Sequence, residues 1–329
     1  LKQQEDDPFD ISNIFNSDYI KDIQRNFKTS NVFYQKYQNC NSTLEKTSAL
    51  TILSKFNQSV DQMDFNLLID SLCQFFNLIF EQENVPQEYI EALKKSNFLP
   101  NINKCLTTLD KPQVISLICH ILFHLIYLSS DVIRGMFELE TLSILMSILV
   151  DQNSEVSKFI LFYIFGNSCI YFQVSSYFCN VLWDLSLDYI TSEIFSIQKS
   201  CLFCLCSLTY HFPFPEEKID IFFEKMKPII IKSTDLFRLL KRKEEIQEKT
   251  ENNEDEYDFD EEEIDDELNY FIANSGIESN DLKLIKRQYL RIITYVLSMI
   301  NEHSKYSKTC FHLIDTQISF LLISTIPYF

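Results

Sequence analysis

An apolar segment of eight residues recurs three times at nearly constant spacing, and this repetition constrains the fold more than any other feature of the sequence. LFHLIYLS begins at residue 122, LFYIFGNS at residue 161 and LFCLCSLT at residue 202, so the spacings are 39 and 41 residues. Repeats of about 40 to 47 residues with two or three helices each are typical of arrays of stacked helices. The repetition therefore predicts several similar helical units rather than one globular core.

Each recurring segment closes a unit with the same order of helices. Apolar spacing and proline position predict a short helix at 86–95, a medium one at 98–109 and a long, almost wholly apolar one at 114–128. The same order is predicted at 130–139, 142–150 and 156–171, and again at 174–180, 181–189 and 192–210. Further helices are predicted at 50–56, 65–80, 229–240 and 282–300. The expected fold class is an all-α solenoid.

Glycine is scarce in this chain, which has Gly135, Gly166 and Gly276 and no others among its 329 residues. Average usage is about 7%. Tight hairpins and phosphate-binding loops need glycine, and three scattered glycines cannot form G-x-G-x-x-G or G-x-x-x-x-G-K-[ST]. This argues against Rossmann and P-loop enzymes and favours helices joined by polar turns.

Residues 129–170 resemble an armadillo repeat, and an importin-alpha repeat in particular. Arg134 lies in the short helix, the second helix is rich in leucine, an acidic turn follows, and Val156 begins the third helix. The third helix of importin-alpha repeats carries a Trp and, four residues later, an Asn; Tyr163 and Asn167 have this spacing here. The resemblance is clear over 86–212 and weaker over 47–82 and 281–325, and it implies an armadillo/HEAT-like fold and a peptide-binding groove.

The same groove position is predicted to hold His124 and Cys204 in the neighbouring repeats. An Asn amide can bond both the N–H and the C=O of an extended peptide, and a Tyr ring can cover the stem of Lys or Arg. The predicted peptide-binding residues are therefore Tyr163, Asn167, His124 and Cys204. The chain departs from importin-alpha in two respects: the pairs at 124/128 and 204/208 are not Trp and Asn, and residues 1–46 hold no basic importin-beta-binding segment.

Residues 251–267 form a strongly acidic segment, ENNEDEYDFDEEEIDDE, in which 12 of 17 residues are acidic and none is basic. Because like charges repel, the segment is predicted to be a disordered loop within the solenoid. Two interpretations stay open: a solvated insertion, or a functional segment that is either a mimic of an acidic partner or a lure for basic peptides or histones. Basic residues flank the segment at 241–243 and at 283, 286, 287 and 291. The acidic residues singled out are Asp255, Glu256, Asp258, Asp260, Glu261, Glu262, Glu263, Asp265 and Asp266.

No motif points to catalysis, a metal or another cofactor. Cys201, Cys204 and Cys206 lie in an apolar helix and lack the second cysteine pair of a structural zinc site. His120 and His124 are four residues apart, but the Glu of H-E-x-x-H is missing. The ten cysteines form no paired framework, which indicates reduced thiols and a cytoplasmic or nuclear protein. The longest apolar run, 114–128, is too short to span a bilayer.

The sequence therefore predicts a polar, partly helical segment at 1–46, repeats at 47–240, a charged helix end with the acidic insertion at 241–280, and further repeat helices at 281–329. The functional hypothesis is a non-catalytic, protein-binding solenoid, similar to importin-alpha in recognising basic peptides for nuclear import. The alternative is a structural or regulatory scaffold in a cytoskeletal or signalling complex. The net charge of −18 argues against nucleic acid. No membrane and no small-molecule substrate is expected.

Overall fold

The structure is a computed structural model that describes residues 49–80, 87–109, 111–151, 158–171, 175–209, 212, 215–251, 258–274 and nine residues between 285 and 299. Every regular element in these ranges is an α-helix, and they contain no strand. The all-α prediction is confirmed. The chain divides into two compact units, Leu1–Phe172 and Gln173–Phe329. The predicted N-terminal segment 1–46 lies outside the described residues.

The first unit contains eight described helices, most of them within three residues of the predicted bounds. They are α1 (Ala49–Gln62), α2 (Phe65–Phe80), α3 (Gln87–Lys95), α4 (Phe98–Thr108), α5 (Pro112–Leu128), α6 (Ser130–Glu138), α7 (Thr141–Val150) and α8 (Lys158–Tyr171).

Helices at equivalent positions of the repeat stack on one another in this unit. The medium helices α1, α4 and α7 contact in sequence, and so do the long helices α2, α5 and α8. The triplet α3–α4–α5 recurs as α6–α7–α8 with Gln87 and Ser130 at equivalent starts, 43 residues apart. This is the arrangement of an armadillo/HEAT-like solenoid, in which each unit buries its apolar face against its neighbours.

The long helices form the core of the stack. All ten residues from Ile160 to Cys169 of α8 are buried, as are the seven from Ile118 to His124 of α5. A helix that is apolar on every side is stable in water only when other elements cover it on every side. The near-continuous apolar runs at 114–128 and 156–171 are explained by this position.

Side chains from neighbouring elements bind the carbonyls at several helix ends. Asn103 Nδ2 donates to the Leu139 carbonyl beyond α6 at 2.8 Å. Lys158 Nζ donates to the carbonyls of Leu149 and Asp151 at the end of α7, at 3.1 and 3.0 Å. Helix ends commonly use a following glycine to satisfy these groups. In a chain with three glycines, side chains of other elements perform this function.

The second unit contains α9 (Ser176–Tyr189), α10 (Phe195–Leu208), α11 (Glu216–Glu251) and α12 (Asp258–Ala273), and the residues described between 285 and 299 are also helical. Two predictions are wrong here. The helices expected at 174–180 and 181–189 are a single helix, α9, since no Gly or Pro interrupts the segment. The helix expected at 229–240 is the 36-residue α11, which continues through Pro228.

The stacking of equivalent helices recurs in this unit. Lys218 of α11 pairs with Asp184 of α9 at 2.5 Å, and Lys225 Nζ donates to the Leu187 carbonyl of α9 at 2.7 Å. Rings of α10 contact the segment after α12, with centroids 5.1 Å apart for Phe195–Tyr289 and 5.8 Å apart for Phe203–Tyr295. In the stack, α11 therefore follows α9, and the described residues between 285 and 299 follow α10. Helix α12 is an insertion between α11 and those residues.

Candidate functional site

The four side chains predicted to line a peptide groove are all interior. Tyr163 is 1% exposed, Asn167 4%, His124 6% and Cys204 0%. His124 and Tyr163 lie on α5 and α8, which stack as expected for equivalent helices, while Cys204 lies on α10 in the second unit. These four side chains are covered in this structure, and an amide can bond a peptide backbone only where it is accessible. The peptide-binding role of the four residues stays a prediction.

Asn167 uses its amide within its own helix. Its Nδ2 donates to the Tyr163 carbonyl at 2.9 Å in a buried environment. The Tyr163 ring lies among aromatic rings of the core, 5.9 Å from Phe123 and 6.5 Å from Phe159 between centroids. The Tyr–Asn spacing of the sequence is therefore explained by packing of α8.

The two histidines of α5 are held neutral by burial. Burial lowers the pKa of His120 to about 3, and its ring meets Phe159 edge-on at 5.8 Å. Burial also lowers the pKa of His124, whose Nε2–H donates to the Ile79 carbonyl of α2 at 2.8 Å. His124 thus joins two stacked long helices. In the part of the chain that the structure describes, no group of three or more His, Cys, Asp or Glu could hold a metal ion.

The cysteines of the C-x-x-C-x-C segment are core residues. Cys201, Cys204 and Cys206 are each 0% exposed. Burial raises the pKa of Cys204 to about 12 and holds the pKa of Cys201 well above its ordinary value. A buried thiol with a raised pKa is a poor nucleophile and a poor metal ligand. This segment therefore contributes packing.

The acidic segment is where the structure departs most from the sequence prediction. The disordered loop expected at 251–267 is wrong for residues 258–267, because they form most of helix α12. Asp255 and Glu256 lie outside the described residues. Asp258, Asp260, Glu261, Glu262 and Glu263 lie in the first turns of α12, and Asp265 and Asp266 follow in the same helix.

Helix α12 packs on α11 through a small apolar contact flanked by ion pairs. Ile264 and Leu268 of α12 are 1% and 2% exposed. On either side of them Asp265 pairs with Lys243 at 2.5 Å and Glu267 pairs with Arg242 at 3.5 Å. Of the basic residues that flank the acidic segment in sequence, Arg242 and Lys243 are thus its partners in space, whereas Lys241 and Lys286 pair with Glu245 and Glu244 of α11.

The C-terminal end of α12 is held by a third cation of α11. Lys232 Nζ donates to the Asn274 carbonyl, which follows α12, and lies 5.7 Å from the centroid of the Phe271 ring. The Phe271 ring also contacts Tyr289, with centroids 5.7 Å apart. From the middle of α12 to its C-terminal end, these contacts are made in turn by Lys243, Arg242 and Lys232. The two helices α11 and α12 are therefore antiparallel.

The outer face of α12 is exposed and acidic. Asp266 is exposed, and Tyr270, one turn later, is 75% exposed. Sequence reasoning missed this helix, although Ile264, Leu268 and Phe271 have the i, i+4, i+7 spacing of a helix face. In the sequence, the high acidity of the segment is a stronger signal than its three apolar residues.

No family model matches this chain, and no curated protein sequence matches it significantly. Among solved structures, it is similar to a designed armadillo repeat protein in complex with the peptide (KR)4, with 13% identity, a TM-score of 0.42, and 85% of this chain and 99% of that chain covered. An engineered protein from the Northeast Structural Genomics Consortium is similar at 10% identity and a TM-score of 0.42, with 85% and 96% covered. TM-scores this low do not establish a shared fold, so the fold of this chain is assigned from the stacking of its own helices.

Among the described helices, none has both the length and the apolar character that crossing a membrane requires.

Proposed function

We propose that this protein is a non-catalytic scaffold that binds other proteins on the surface of its helical repeats. The observation that carries the proposal is the stacking of equivalent helices, α1–α4–α7 and α2–α5–α8. Stacked repeats bury their long helices and present the remaining helices as an extended surface, which is the means by which repeat proteins bind partners.

The finer proposal is that the partner carries a basic segment, as in an importin-alpha-like adaptor of the cytoplasm and nucleus. The net charge of −18 and the exposed acidic face of α12 around Asp266 and Tyr270 support it. Carboxylates attract Lys and Arg, and an exposed Tyr ring can stack on a guanidinium group. A structural scaffold that recognises no basic peptide is the second candidate.

A titration of a fluorescent peptide tests the finer proposal. A Lys/Arg-rich peptide should bind at low ionic strength, lose affinity as salt is added, and bind more tightly than an acidic peptide of equal length. Asp266→Lys should weaken binding about 2- to 5-fold, the effect of one exposed charge pair. Asp220→Lys is the matched control, because Asp220 is an exposed acid near the start of α11.

Two results of the titration decide between the candidates. Absence of binding at low salt would remove the basic-peptide proposal and favour the scaffold. If Asn167→Ala weakens binding without changing thermal stability, the peptide contacts α8 as the sequence predicts; equal affinity of Asn167→Ala and wild type excludes that contact.

A further inference from the structure

The surface that α12 covers has the chemistry of a groove for an acidic helix. We name it the basic-rimmed groove and define it as the face of α11 under α12, with Lys232, Arg242 and Lys243 on its rim and Tyr289 beside it. We propose that the basic-rimmed groove binds an acidic amphipathic helix of a partner protein, and that α12 is its internal competitor.

α12 itself shows which ligand pattern fits the groove. Ile264 and Leu268 are buried, and Phe271 contacts Tyr289, so the apolar positions are i, i+4 and i+7. The acids that pair with the rim are at i+1 and i+3, Asp265 and Glu267. Amphipathic helices bind grooves through anchors at this spacing. A partner helix with the same apolar anchors and flanking carboxylates can therefore make the contacts that α12 makes.

The repeat array does not need α12. α11 contacts α9, and the residues described between 285 and 299 contact α10, so the two equivalent pairs of the unit meet without it. α12 is the inserted helix, and its departure would leave these contacts in place.

α12 is also a weak helix by itself. Eight of its 16 residues are acidic and none is basic. Four pairs of acids lie at i, i+4, where like charges repel across one helical turn: 258/262, 261/265, 262/266 and 263/267. The rim pairs that offset this repulsion are half-exposed, with Glu267 and Asp265 side chains each 45% exposed, and exposed pairs stabilise little. α12 should therefore open at a lower free energy than the repeats, as local segments with few buried contacts do.

The contacts that α12 makes in the basic-rimmed groove indicate what kind of partner the groove can bind. Two rim cations bind carboxylates and the third binds a helix-terminal carbonyl, and these groups belong to an acidic protein helix. A nucleic acid offers phosphates without the apolar anchors that Ile264 and Leu268 supply at this surface. The inference goes beyond the proposed function, because it concerns the inner face of α12 and a ligand of opposite charge, so either test can fail without the other.

A competition experiment on the full chain tests the inference. The probe is a fluorescent synthetic peptide with the sequence of residues 258–273, and a scrambled peptide of identical composition is the control probe. Asp265→Asn/Glu267→Gln should raise the apparent affinity for the probe about 3- to 30-fold, because weakening the two ion pairs increases the open fraction. Asp266→Asn/Asp220→Asn makes the same charge change at exposed acids that pair with no rim cation and should change affinity less than about 2-fold. Arg242→Glu should abolish the gain.

Each remaining outcome supports or overturns the proposal. Amide hydrogen exchange in α12 should be faster than in α8 and faster still in Asp265→Asn/Glu267→Gln, and exchange of α12 only with global unfolding would overturn it. If both double variants gain the same affinity for the probe, or if the scrambled peptide binds as tightly as the probe, net charge alone explains the effect and the proposal is wrong. A DNA oligonucleotide that binds as tightly as the peptide would show a general anion surface. If the double variant does not fold, Glu267→Gln alone, which removes the longer pair, should give a smaller gain of the same sign.

Discussion

The buried histidines of α5 and the buried amide of Asn167 are neutral and are used between or within helices. His124 donates to a carbonyl of the preceding long helix, and Asn167 donates within α8. Burial keeps the imidazoles of His120 and His124 unprotonated and raises the pKa of the cysteine thiols of α10. Since desolvation disfavours the charged form of each group, these side chains contribute to stability and not to surface chemistry.

The pH dependence of stability tests the state of His120. Its folded-state pKa of about 3 lies below the unfolded value of about 6.5, so its contribution is complete above pH 6.5 and is lost as the pH falls towards 3. Between pH 7 and pH 5 this histidine alone should cost about 2 kcal/mol of unfolding free energy. Urea denaturation should show that His120→Phe loses less stability than wild type over this interval by that amount. Equal losses would mean that His120 is solvated.

Substitution of a core leucine tests the position of α8. Leu161 is 0% exposed, so Leu161→Ala should lower the unfolding free energy by about 2–5 kcal/mol through lost burial and a residual cavity. The matched control is Leu50→Ala on α1, where the side chain is 65% exposed and the expected loss is below about 0.5 kcal/mol. Similar losses at both sites would show that α8 is not internal.

At the scale of the helices, ends are satisfied by side chains of neighbouring elements. Lys158→Met keeps most of the apolar stem but removes the donor to the Leu149 and Asp151 carbonyls at the end of α7. We expect a loss of about 1–2 kcal/mol, since the part-buried Leu149 carbonyl loses a charged partner. Lys104→Met, at an exposed lysine of α4, should change stability by less than about 0.5 kcal/mol in the same denaturation experiment. Equal effects at the two lysines would exclude this capping role.

The sequence predicts a helix accurately where apolar residues recur at helical spacing, as at Phe65–Phe80. It predicts a helix poorly where charged residues dominate the segment, as in α12. Phe65–Phe80 was predicted to the residue, because Leu68, Leu72, Phe75 and Ile79 have helical spacing. The pairing of α12 with α11 could not be predicted, because ion pairs between 242 and 267 and between 243 and 265 depend on how the chain returns. Local repulsion among acids is visible in a sequence, whereas the cations that offset it are visible only in three dimensions.

The difference between what a sequence and a structure can show also applies to the candidate site. Residues 124 and 163 lie on two long helices, α5 and α8, that contact one another. The sequence could not show that these positions are covered, because exposure of one face of a helix depends on every element that packs against it. The low exposure of Tyr163 and Asn167, 1% and 4%, is a tertiary property.

At the scale of the whole molecule, the proposed function combines a buried array of repeats with an acidic surface that we propose attracts basic partners. The two compact units each contain stacked equivalent helices. Helix α12 of the second unit contributes eight acids and no base. This arrangement predicts that a bound ligand contacts α12 and leaves the amide exchange of the long helices unchanged.

Hydrogen exchange of the full chain with and without a saturating Lys/Arg-rich peptide tests this central claim most directly. We predict that the amides of residues 160–169 and 201–208 exchange slowest and are unchanged by the peptide, while those of α12 exchange faster and gain protection at low salt. Protection that appears in α8 around Tyr163 and Asn167, or fast exchange of 160–169 in the free protein, would contradict the account.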